Sequence, residues 1–123
     1  MFIENGGDLN TIIIYATKHG TVEKAVSLLK RNLKGNIIIA NVNKHVPSLE
    51  IFDTVIIGGS IYYGKVQKEL TQYMKKNSRL LLTKRLGLFL CAGHPNPQQR
   101  KIEMENAFPK EILEHALLTS SPT

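Results

Sequence analysis

Cysteine is nearly absent from this chain. Cys91 is the only one, so no internal disulfide can form, and the chain reads as a protein of a reducing compartment, most simply the cytoplasm. Acidic residues are scarce: ten Asp and Glu stand against sixteen Lys and Arg, for a net charge of +6. No apolar run approaches the length of a membrane span. The longest, Thr54–Ile57 and Leu86–Cys91, have the size of buried strands. Residues 1–8 lack the basic and apolar regions of a signal peptide. His19, His45, His94 and His115 show no metal-ligand spacing. There is no Gly-x-Ser-x-Gly nucleophile elbow, no Walker loop and no GxGxxG fingerprint. These gaps leave the commonest hydrolase, metalloenzyme and dinucleotide-binding readings without support.

The sequence does contain an alternation of short apolar runs and amphipathic stretches. Residues 1–10 read as a flexible leader and residues 11–123 as one domain. Thr11–Tyr15 is a β-branched run short enough for a buried strand. Thr21–Lys34 reads as a helix, with Val22, Ala25, Val26, Leu29 and Leu33 on one face. Glu23 near its start and Lys30, Arg31 and Lys34 near its end suit the helix dipole. Strands are expected at Asn36–Asn41, Asp53–Gly58 and Arg85–Cys91, and a short fifth at His115–Thr119. Helices are expected at Lys65–Lys76, with Val66, Leu70, Tyr73 and Met74 inward, and at Gln98–Ala107. Asn96 and Pro97 supply the cap and first position of the latter.

Continuous rather than alternating apolar strands, separated by helices, indicate a parallel sheet covered on both faces: a three-layer, doubly wound α/β fold. In such sheets ligands sit beyond the carboxyl ends of the strands, at the switch point. Three loops lie there. Ala16–Thr21 offers hydroxyls and backbone N–H groups at a helix N-terminus, which suits a phosphate; in the blander reading Gly20 turns the chain and Thr21 caps the helix. Gly58–Lys65 combines glycines with adjacent Tyr62 and Tyr63, a flat stacking surface for an aromatic ring system; in the blander reading one tyrosine packs on the sheet edge and the other meets solvent. Cys91–Pro97 has small Ala92 and Gly93, whose amides can bond the rim of a planar ligand, and His94, either a charge tuner or an ordinary loop histidine. Glu50 and Asp53 precede the third strand, at the wrong end for a site. Gly58 also stands where a phospho-receiver domain needs an aspartate.

Together the three loops resemble the flavodoxin family. Thr17-Lys18-His19-Gly20-Thr21 is similar to its hydroxyl-rich phosphate loop, and Gly58-Gly59-Ser60-Ile61-Tyr62-Tyr63-Gly64 resembles its flavin-flanking loop. The Gly59–Gly64 stretch is most similar to the branch of flavodoxin-like protoporphyrinogen oxidases. The resemblance spans roughly Thr11 to Thr119. It implies a flavodoxin-like sheet of order 2-1-3-4-5 and noncovalent FMN. Thr17, Lys18, His19, Gly20 and Thr21 would surround the phosphate. Ser60, Ile61, Tyr62, Tyr63 and Gly64 would border one side of the ring system, and Ala92, Gly93 and His94 the other. The implied function is electron transfer or an FMN-dependent oxidoreductase activity, with protoporphyrinogen oxidation as the narrower form. The flavin carries that chemistry, so no catalytic acid or base is assigned.

Departures from the family pattern qualify these expectations. The phosphate loop has one hydroxyl fewer, with Lys18 and His19 at usually neutral positions. Electron-carrying flavodoxins are usually acidic, whereas this chain is basic. The family's last helix is expected to be missing, which leaves a cofactor-free binding or regulatory module as the alternative. Much of the positive excess lies at Lys65, Lys68, Lys75, Lys76, Arg79, Lys84 and Arg85. It reads either as a solvated face or as a surface for a redox partner, an anionic substrate or a membrane headgroup layer. No motif supports nucleic acid, and oligomeric state is left open.

Overall fold

The computed structural model describes residues 10–17, 20–61, 65–91 and 96–119. β1 (Asn10–Tyr15) lies at the centre, because Ile12, Ile13 and Ile14 are all fully buried. Burial on both faces is what a continuous β-branched run achieves in a parallel sheet. Around it are β2 (Asn36–Asn41), β3 (Thr54–Ser60) and β4 (Arg85–Cys91). All pair in parallel, in the order β2-β1-β3-β4. Ile13 pairs with Ile39 on one side and Ile56 on the other.

Successive residues of β1 serve opposite faces of the sheet. Ile13 packs with Val22 and Val26 of α1 (Thr21–Asn32). Ile12 and Ile14 belong to the larger core on the other face. That core includes Leu70 and Met74 of α2 (Lys68–Lys76), Leu81 of α3 (Ser78–Leu81), Ala107 of α4 (Pro97–Ala107), and Ile112 and Ala116 of α5 (Lys110–Thr119). This is the expected three-layer, doubly wound arrangement. A single 3-10 turn, Leu49–Ile51, seats Leu49 before β3.

Several boundaries differ from the expectations; α1, for one, ends at Asn32 rather than Lys34. Residues 115–119, expected as a fifth strand, are the last turns of α5, so the described sheet has four strands rather than the full 2-1-3-4-5 order. The reason is periodicity: Ile112 and Ala116, four residues apart, are buried together while Leu117 is 63% exposed. His115 Nε2 also lies 2.7 Å from the Lys84 carbonyl oxygen, tying the helix to the turn before β4. Next, α2 begins at Lys68 rather than Lys65. Finally, β3 runs on through Gly59 and Ser60, which places them in the sheet rather than in a loop.

The lysine-rich segment is solvated in the main. Lys65, Lys68, Lys75, Lys76, Arg79 and Arg85 are exposed, and Lys84 is half-buried. The amino ends of the strands are joined at the other pole from the site. Asp53 N–H donates to the Asn10 carbonyl at 2.9 Å, and Arg85 N–H to the Asp53 carbonyl at 3.0 Å. Asp53 therefore serves the strand starts, as its position before β3 implies.

Candidate functional site

The carboxyl ends of β1, β3 and β4 meet at one edge of the molecule. Tyr15 pairs with Gly58, and one residue further on Ala16 N–H donates to the Gly58 carbonyl at 3.2 Å. At the other side of β3, Ser60 pairs with Cys91, and Ile61 N–H donates to the Cys91 carbonyl at 3.0 Å. Both ladders thus continue one residue past the strand ends. Because β2 and β3 lie on opposite sides of β1, the gap between the ends of β1 and β3 is the topological switch point.

On the β1 side, Thr17 Oγ1 accepts a hydrogen bond from Gly20 N–H at 3.1 Å, closing the turn that leads into α1. Gly20 adopts φ +81°, the left-handed region that favours glycine, and a Cβ placed there would meet nothing within 4 Å. The turn therefore delivers the chain into α1 with open space beside Gly20. Gly20 is the N-cap, and no side chain caps the helix there. The N–H groups of the first turn and the helix dipole favour an anion at this point. The blander reading makes Thr21 the cap; the N-cap is Gly20.

On the β3 side the residues crowd. A Cβ on Gly58 would fall 2.1 Å from the Phe89 ring, so Phe89 lies flat across the Gly58 backbone. A Cβ on Gly59 would lie 3.0 Å from Leu70 Cδ2 and 3.2 Å from Gln67 Oε1. Ser60, 8% exposed, accepts through Oγ from Gln67 Nε2 at 3.1 Å. Gln67 is the N-cap of α2, and its carbonyl accepts from the N–H groups of Leu70 and Thr71. Its Oε1 is buried with no hydrogen-bond partner. An orphaned acceptor of this kind costs about 1–3 kcal/mol of desolvation, and in a native fold it calls for a functional or ligand-linked explanation. Nothing in the sequence singled out Gln67, because its partner lies across the loop from it and polar residues before a helix are ordinary.

Cys91, the last residue of β4, is half-buried, and burial pushes its thiol above the usual range. A raised thiol disfavours the thiolate form that a nucleophile needs. Of the other expected site residues, Thr17, Gly20, Ser60 and Ile61 are brought to this edge. Lys18, His19, Tyr62, Tyr63, Gly64, Ala92, Gly93 and His94 fall outside the described residues, as does the side chain of Thr21. Among the described residues there is no cluster of His, Cys, Asp and Glu able to hold a metal ion. Likewise no described helix is long and apolar enough to cross a membrane.

Comparison with known proteins bears on this edge of the fold. A model of the flavodoxin domain matches residues 12–120. Protoporphyrinogen IX dehydrogenase [quinone] of Escherichia coli K12 is 32% identical over 109 residues, covering 85% of this chain. The chain spans 60% of the length of that relative. Among solved structures, a flavodoxin, WrbA-like protein from Agrobacterium tumefaciens superposes with a TM-score of 0.61 at 15% identity, over 91% of this chain and 74% of the other. Flavodoxin 1 from Bacillus cereus gives 0.57 at 15% identity, over 89% and 92%. At such identities these two structures share the fold.

Proposed function

The chain belongs to the flavodoxin domain family, and on that premise we propose that it is an FMN-binding redox domain that exchanges electrons with a redox partner. The observation that carries the reading is the edge where the Ala16–Gly58 hydrogen bond joins β1 to β3 beside the uncapped start of α1. Two local features fit the group. The left-handed turn at Gly20, with empty space around it, suits close approach of a phosphate. The Ser60 hydroxyl, backed by an amide with an unsatisfied oxygen, suits the polar rim of a flat heterocycle.

Thr17, Lys18, His19, Gly20 and Thr21 would hold the phosphate. Ser60, Ile61, Tyr62, Tyr63 and Gly64 would border one side of the ring system, and Ala92, Gly93 and His94 the other. When bound, the flavin supplies the electron-transfer chemistry. The protein contributes binding, orientation and exclusion of water. Stacking on tyrosine and hydrogen bonds at the rim would set how readily the flavin accepts electrons.

The test is fluorescence titration of the purified protein with FMN. Saturable quenching at one equivalent is expected, and no binding at micromolar FMN refutes the reading. The narrower reading takes its substrate class from the Escherichia coli relative's name: a protoporphyrinogen would be oxidised as the bound flavin is reduced. Anaerobic mixing should then bleach the flavin absorbance, and a bleaching rate independent of added protoporphyrinogen would remove that substrate while leaving the FMN site standing.

A further inference from the structure

Besides its main-chain N–H, Gln67 has three polar groups, and two of them are held. Its main-chain carbonyl is committed to the first turn of α2, through the N–H groups of Leu70 at 3.1 Å and Thr71 at 3.3 Å. Its Nε2 reaches back across the loop to Ser60 Oγ at 3.1 Å. The side chain therefore spans the base of the loop that carries Tyr62 and Tyr63, joining the last residue of β3 to the cap of α2. Glycine at 59 leaves room for it: a Cβ there would stand 3.2 Å from Oε1, and the side chain would have to give by a few tenths of an ångström. Its third group, Oε1, is buried and unpartnered.

The direction of the bond to Ser60 matters. An amide N–H donates, so it occupies a lone pair of the serine oxygen and leaves the serine O–H with no call on it from Gln67. A serine held in this way is an oriented donor. An apolar residue of the same shape would avoid the unsatisfied oxygen, so stability alone does not favour glutamine here. What the amide adds is the orientation of the Ser60 hydroxyl.

We propose that Gln67 is a positioning residue for the flavin site: it fixes Ser60 so that the serine hydroxyl donates to an acceptor on the rim of the ring system. The proposal rests on the FMN reading above. It extends that reading to a residue that touches the site only through Ser60.

The experiment is FMN titration, together with thermal unfolding of the FMN-free protein, for wild type, Gln67→Met, Ser60→Ala and the double variant. Methionine keeps the length and approximate volume of glutamine and removes both the donor and the orphaned acceptor. The expected result is a divergence. FMN-free Gln67→Met unfolds at the wild-type temperature or above it, while its FMN dissociation constant rises about three- to tenfold. Ser60→Ala weakens FMN by a similar factor, and the double variant binds no more weakly than the weaker single, because both act through one hydrogen bond. Three results overturn the proposal: an unchanged dissociation constant in Gln67→Met, a loss of affinity that merely tracks lost thermal stability, or effects of the two substitutions that multiply. Failure of wild type to bind FMN is a separate outcome, which overturns the FMN reading and this proposal with it.

Discussion

Substituting Gly58 by alanine tests the packing directly beneath the site. Gly58 does not have a positive φ, so the backbone accepts alanine and the whole cost is steric. The new methyl carbon would stand 2.1–2.3 Å from three Phe89 ring carbons. Carbon–carbon contact relaxes at about 3.5–4.0 Å, so the ring must retreat by roughly 1.5 Å. Phe89 packs against the cluster of Ile13, Val22 and Val26 between the sheet and α1. Its retreat either presses on α1 or swings the ring toward solvent. Overpacking of this kind costs about 1–3 kcal/mol. In a Phe89→Ala background the clash is gone, and exchanging a strand glycine for alanine should instead stabilise by about 0.5–1 kcal/mol. The double-mutant cycle therefore predicts a coupling of at least about 1.5 kcal/mol between the two positions. Urea denaturation of the four proteins measures it from midpoints at constant m-value. Equal effects of Gly58→Ala in the two backgrounds would refute the placement of the Phe89 ring over Gly58.

Two further predictions concern other parts of the fold. Asn96 Oδ1 accepts from the N–H groups of Gln98 at 2.8 Å and Gln99 at 3.3 Å, capping α4; Asn96→Ala should lower stability by about 0.5–2 kcal/mol, read as a shift in urea midpoint, with Asn96→Asp close to wild type. Burial raises the Tyr73 phenol from its ordinary 10 to about 12. Because the folded state favours the protonated phenol, its contribution to stability is fully present below pH 10 and is lost as pH rises from there through about 12. Stability of the wild type should therefore fall more steeply over that window than stability of Tyr73→Phe, and parallel curves would show that Tyr73 is not responsible.

Much of the framework is legible in the residues alone. A β-branched run such as Thr11–Tyr15 has no amphipathic alternation and suits a strand covered on both faces, as interior β1 is, although the similar run in edge strand β2 leaves Ile38 45% exposed. The run of Val22, Val26 and Leu29 commits α1 to one apolar face. Asn96 before Pro97 marks the start of α4, and Asn96 makes the expected cap bonds. These features depend on neighbours within a few residues, which is why they can be read in order along the chain. The loop glycines and hydroxyls could be assigned to one end of the sheet by the same logic, since a parallel strand order sends every strand–helix loop to the same pole.

Other features were decided by contacts between distant segments. His115-Ala-Leu-Leu-Thr is too short for periodicity to separate strand from helix; it became helix because Ile112 and Ala116 found the core beside β4 and His115 found the Lys84 carbonyl. Residues 77–82 lie between the expected helix and strand, and burial of Leu81 in that core makes part of them the helical turn α3. Gly59 and Ser60 are expected in the loop after the third strand, yet they remain in β3, where Leu70 and Gln67 approach Gly59 and Ser60 pairs with Cys91. The bond from Gln67 to Ser60 forms only once α2 has docked on the sheet. Local hydrophobic patterning thus determined the layers and the pole at which a ligand must lie, while the side chains that support each other at that pole were chosen by tertiary packing.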